Sequence, residues 1–141
     1  RAPFGEGAPV AKTATQPTDE QARDLDFAWR VCKHVRSNAI VLAKGGMAIG
    51  VGAGQMSRVE ATEIAVIRAQ RWAEETGGSL AGCVAASDAF YPFNDAIETA
   101  LDAGAAAIVQ PGGSRNDDAA VALCDERGIP MWFAGHRHFR H

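Results

Sequence analysis

Lys33 and His34 stand side by side in "VCKHVRSNAIV" (31–41), immediately before an apolar run. An amine beside an imidazole has the make-up of an acid–base pair working near neutral pH. The same two residues would equally suit the polar end of a helix. Whether the pair does chemistry or only borders it depends on what else the chain gathers around it.

Three further stretches carry chemically useful side chains. "GVGAGQMSR" (50–58) resembles a dinucleotide fingerprint, but Gln55 replaces the third glycine and the stretch follows a hairpin strand, so a nucleotide cofactor is weakly indicated. Its glycines would let the backbone approach a ligand, and a helix starting at Ser57 would offer free N–H groups; a tight strand-to-helix turn explains it equally well. "SDAFYPFND" (87–95) collects two carboxylates, three aromatic rings and a proline, a mixture suited to gripping a flat heteroaromatic ligand. The plainer alternative has Asp95 capping a helix and Phe90 and Phe93 in the core. At the chain end, "GHRHFRH" places Arg137, His138, Arg140 and His141 in a cationic cluster that could hold a phosphate, although a solvated basic tail is the better account of His141.

Other chemistries are disfavoured. No His and Cys fall at zinc-ligand spacing, and the zinc-deaminase signature is absent, so no catalytic zinc is expected. There is no G-x-S-x-G, and Cys32, next to Lys33, falls mid-helix among apolar residues. Three widely spaced cysteines in apolar surroundings suit reduced core thiols and a cytoplasmic location. A formal charge of −3 with both signs interspersed argues against a nucleic-acid partner, and no apolar run approaches a membrane span.

The elements that must position these residues are legible as pattern. Thr18 to Gln21 has capping-box spacing, and the apolar period after it predicts a helix from Asp19 to about Val35. "NAIVLA" and "MAIGVGA" flank Lys44-Gly45-Gly46, which predicts an antiparallel hairpin. Ser57 to Glu60 is a second capping box, opening a helix that ends before Gly77. From there strands "AGCVAAS", "AAIVQ" and "PMWFAG" alternate with helices "FNDAIETALDAG" and "DDAAVALCDERG". The pattern predicts a three-layer α/β domain, a mixed sheet with an N-terminal hairpin and helices on both faces, over residues 17–141. Residues 1–16 show no period and read as a flexible tail or linker.

Taken in order, "SNAIV", "GVGAGQMSRV", "SDAFYPF", "IVQPGGS", "DERGIPM" and "RHFRH" resemble the C-terminal part of AICAR (aminoimidazole carboxamide ribotide) transformylase. In that family the transformylase is joined to inosine monophosphate (IMP) cyclohydrolase in one bifunctional purine-synthesis protein. The resemblance runs from about Pro17 to His141 and implies the second of two similar cytidine-deaminase-like halves, without the first half or the cyclohydrolase domain. It implies transfer of a formyl group from 10-formyltetrahydrofolate to the 5-amino group of AICAR. That amine is conjugated with ring and carboxamide, so the reaction needs a base and a stabilised tetrahedral intermediate.

The family's base is a Lys-His pair in the first half, followed by a short segment with proline. Lys33-His34 is followed by "VRSNAIV", without that proline, so the resemblance gives it a pseudo-symmetric position and no catalytic role. It implies that Asn38 holds the carboxamide and formyl groups, that Phe90 packs on the imidazole ring, and that Arg137 binds the nucleotide through its phosphate. Arg58, Val59, Pro92, Phe93 and Asp95 would form the pterin side, with the Asp95 carboxylate facing adjacent ring N–H donors. Implied partners are AICAR, folate, the missing first half, the cyclohydrolase domain and a second copy in a homodimer. The continuation of "QPGGSRNDDAA" after its serine, and Ala96 after Asp95, depart from the family's pattern. The other reading of an isolated chain is a non-catalytic nucleotide- or folate-binding or dimerisation module.

Overall fold

A computed structural model describes residues 9–134 of the 141-residue chain. Ten elements follow in order. They are β1 (Val10–Ala11), α1 (Asp19–Cys32), β2 (Ile40–Lys44), β3 (Met47–Gly52), α2 (Arg58–Thr76), β4 (Val84–Ser87), α3 (Asp95–Ala103), β5 (Ala107–Gln110), α4 (Asp117–Glu126) and β6 (Met131–Phe133). The strands form one sheet in the order β1-β6-β5-β4-β2-β3. β2 runs antiparallel to both β3 and β4, while β4, β5 and β6 are parallel. β3, β4, β5 and β6 therefore all end on the same edge of the sheet.

Strand alternation sorts the core into two layers. Ile40, Leu42, Ala85, Ile108 and Met131 pack with α2, α3 and α4 on one face. Val41, Ala43, Val84, Ala86, Ala107 and Val109 pack with Leu25, Ala28, Trp29 and Cys32 of α1 on the other. The expected α/β architecture with a mixed sheet and helices on both faces is present.

The sequence signals for starts and turns hold. Thr18 Oγ1 accepts from Gln21 N at 3.1 Å while Gln21 Oε1 accepts from Thr18 N at 2.9 Å, a complete capping box. The hairpin turns on Gly45 and Gly46, both at positive φ, and their N–H groups donate to the buried carboxylate of Asp24 at 3.0 and 2.9 Å. Asp24 thus ties α1 to the hairpin, a long-range bond that local pattern does not reveal.

Two boundaries differ from expectation. The first helix stops at Cys32 rather than near Val35, because the N–H groups of His34 and Val35 reach back three residues, to Val31 O and Cys32 O. That tightened last turn swings the chain toward β2. The segment expected as a tail, residues 1–16, also reaches too far along the chain: Val10–Ala11 pairs with β6, and Thr13 Oγ1 accepts from Met131 N at 2.9 Å. A two-residue strand is too short to show a period.

α2 lies against β3 because neither side carries bulk at the contact. Ala61, Ala65 and Ala69 repeat at four-residue intervals on the helix and are fully buried. Opposite them a Cβ added at Gly50 would stand 2.1 Å from Ala65 O, and one at Gly52 would stand 1.9 Å from Ala61 O. These two glycines of the fingerprint-like stretch serve helix–sheet packing, and a ligand's close approach is not what requires them. Gly50→Ala is expected to destabilise the fold by at least about 1–3 kcal/mol, since backbone must move to admit the methyl. A thermal melt coinciding with the parent's would contradict this packing.

Candidate functional site

The carboxyl ends of strands in an α/β sheet leave a crevice between the loops that follow them. Here residues 53–57 lead from β3 into α2, and residues 88–94 lead from β4 into α3. The segment 33–39 before β2 enters from the same edge, because β2 is antiparallel to its neighbours.

Arg58, the first residue of α2, is nearly buried, and its Nη1 donates to Asp88, which is fully buried just past β4. Its Nη2 donates to Asn38 Oδ1 at 2.6 Å. The Asp88 carboxylate also accepts from Ser37 Oγ at 2.6 Å and from Ala39 N at 3.2 Å. One guanidinium and one carboxylate therefore join three separate chain segments. With its oxygen committed to Arg58, the Asn38 amide is left with its NH2 as the free donor group.

Next to this network lies a cleft of about 420 Å³ lined by Asn38, Arg58, Val59, Phe90 and Asp95, among others. Met56, Pro92 and Phe93 complete its apolar side, and Met56 and Phe93 are exposed by 92% and 66%. Large apolar side chains left in water at the mouth of a cleft mark a surface suited to a flat apolar group. The 88–94 loop is held by the end of β5 and by the loop that follows it: Tyr91 N donates to buried Gln110 Oε1 at 3.3 Å, and Asn116 Nδ2 donates to Pro92 O. Asn116, in the segment between β5 and α4, thus braces Pro92.

Seven of the eight residues singled out from sequence converge on this cleft: Asn38, Arg58, Val59, Phe90, Pro92, Phe93 and Asp95. The eighth, Arg137, lies outside the described residues, with His138, Arg140 and His141. Lys33 and His34 follow the end of α1 and do not line the cleft. Asp95 opens α3 and accepts from Ala96 N at 2.8 Å; the N-cap is Asn94, whose side chain makes no cap bond. The α2 N-terminus is partly satisfied within the chain, as Ser57 Oγ accepts from Glu60 N at 3.1 Å. With Glu60 already supplying negative charge in that first turn, the turn has less need of an external anion.

Sequence reasoning noticed Asp88 without giving it a role, and it missed Asn116. A carboxylate directly after a buried strand was the available signal for Asp88. Its partner thirty residues earlier in the chain was not legible.

The three thiols are free and buried. Burial pushes Cys32 well up, with the Asp88 charge adding to the effect; Cys83 rises to about 11 and Cys124 to about 12. Thiols so raised lack the thiolate that nucleophilic chemistry requires. Among the described residues no group of three or more His, Cys, Asp and Glu could hold a metal ion. No described helix is long and apolar enough to cross a membrane.

The raised thiols fix the sign of a pH effect. An unfolded chain ionises its cysteines near their ordinary value of 9.0, whereas the folded chain retains those protons until higher pH. Their stabilising contribution is complete below pH 9 and is lost as pH rises through about 11 and 12. Denaturant titrations are expected to show unfolding free energy falling over that range, less steeply when Cys83 and Cys124 are both replaced by Ala. An equal slope in the variant would contradict the assignment.

A family model described as AICARFT/IMPCHase bienzyme matches residues 6–68. Over 132 residues the chain is 54% identical to the bifunctional purine biosynthesis protein PurH of Roseobacter denitrificans. The match covers 92% of this chain and 25% of that relative, so the chain spans about a quarter of the relative's length. The resemblance carried by the motifs is thus borne out across nearly the whole chain, which is similar to a segment of the AICARFT/IMPCHase bienzyme proteins.

Proposed function

We propose that this chain is the second, cytidine-deaminase-like half of an AICAR transformylase and contributes to formyl transfer from 10-formyltetrahydrofolate to the 5-amino group of AICAR in purine biosynthesis. The observation that carries this reading is the convergence of Asn38, Arg58, Phe90 and Asp95, distant in sequence, on one cleft with an apolar rim. On the nucleotide side, the Asn38 NH2 donates to the carboxamide and formyl oxygens and Phe90 packs on the imidazole. Arg137, beyond the described residues, takes the phosphate. On the folate side, Arg58, Val59, Pro92 and Phe93 border the pterin, and Asp95 receives its ring N–H donors.

The base in this proposal comes from the first half of the transformylase, as a Lys-His pair. Asp88 is engaged by Arg58, Ser37 and Ala39, and neither Lys33 nor His34 lines the cleft. This favours a second reading of the isolated chain as a binding or dimerisation module without turnover. The working unit then includes the first half, the cyclohydrolase domain and a second copy, in the cytoplasm and without zinc.

In the complete enzyme, Asp95→Ala is expected to weaken folate binding about tenfold to a hundredfold, the worth of a charge-assisted hydrogen bond, with little effect on nucleotide. Arg137→Ala is expected to show the opposite selectivity. Equal losses for both ligands in both variants, read by calorimetric titration, would contradict the division of the cleft. The isolated chain is expected to show no formyl transfer, and turnover by pure chain would reopen the case for Lys33 and His34.

A further inference from the structure

We infer that Asp88 is a positioning residue for this reaction, acting through Arg58 to set the Asn38 amide with its NH2 toward the ligand. The inference rests on the reading of the cleft proposed above. Asp88 is fully buried and not among the residues lining the cleft, so it is not assigned a ligand contact. Each of its named bonds instead bears on the Asn38 segment. Ser37 Oγ and Ala39 N, on either side of Asn38, donate to the carboxylate, and Asp88 N donates to Ala39 O at 3.2 Å. Arg58 is the third link, donating to Asp88 with one nitrogen and to Asn38 Oδ1 with the other.

An Asn side chain can present either end of its amide, and the two ends are opposite in hydrogen-bonding sense. A guanidinium offers only donors, so contact with Arg58 selects the oxygen end and turns the donor end outward. The guanidinium can do this only while something holds it in place. Asp88 does so, and as a buried carboxylate it has little freedom of its own. Removing its charge frees Arg58 to turn toward water or ligand, and Asn38 then samples both amide orientations.

The test is a double-mutant cycle in the complete enzyme, with formyl-transfer kinetics and thermal melts on each protein. Asp88→Asn keeps the size of the side chain and removes the charge that holds Arg58. Asn38→Asp keeps an oxygen for Arg58 and removes the outward donor. Each alone is expected to lower kcat about a hundredfold, the cost typical of a reacting group displaced by about an ångström, with a smaller change in KM. Combined, they are expected to cost little more than either one, because both end in the same lost donor.

Losses that multiply in the double variant, or an Asp88→Asn enzyme with the parent's kcat, would overturn the inference while leaving the proposed function intact. Absence of formyl transfer in the parent would overturn both. If Asp88→Asn does not fold, Ser37→Ala perturbs the same carboxylate without touching its charge. A smaller drop in kcat that is again non-additive with Asn38→Asp supports the inference, and an unchanged kcat overturns it.

Discussion

The buried contact between Arg58 and Asp88 is the constraint on which the cleft depends. Two ions withdrawn from water lose hydration that their mutual attraction restores only if their remaining donors and acceptors are also satisfied. Asn38, Ser37 and the Ala39 amide meet that need. The consequence is geometric: the start of α2, the end of β4 and the entry to β2 are held in one arrangement. A contact of this kind adds little net stability over an apolar one of equal volume, and its main effect is to specify which surfaces face each other.

The rest of the fold serves that arrangement. α2 can begin beside Asp88 because Gly50 and Gly52 allow its alanine stripe to rest on β3. The 88–94 loop can carry Phe90 and Phe93 to the cleft because Gln110 and Asn116 support its backbone from β5 and the following loop. The bonds from Gly45 and Gly46 to Asp24 anchor the hairpin to α1 at the turn between β2 and β3. Rigid elements thus bracket a cleft whose exposed members are the apolar Met56 and Phe93 and the carboxylate-bearing Asp95.

What was legible in the sequence was local. The capping box at Thr18, the Ser57 cap, of whose expected box only the bond from Glu60 N to Ser57 Oγ forms, and the glycines in the hairpin turn act over three or four residues, and they marked starts and turns correctly. The family resemblance, and not any local pattern, also pointed to seven residues that line the cleft. What was not legible acts across the chain. β1 has no pattern of its own and exists only through β6, and α1 ends where the link to β2 demands, short of its apolar period. The glycines of "GVGAGQMSR" were ambiguous because a helix and a phosphate require the same missing side chain. Only the position of α2 decides between them.

The most direct test of the account is to titrate nucleotide and folate separately into isotopically labelled chain and follow the amide and side-chain resonances. The account expects nucleotide to shift the Asn38 side-chain amide and signals around Phe90, and folate to shift those of Val59, Phe93 and Asp95. Shifts concentrated instead on the outer face of α2 around Ile64 and Arg68, or none at the cleft with either ligand, would contradict it.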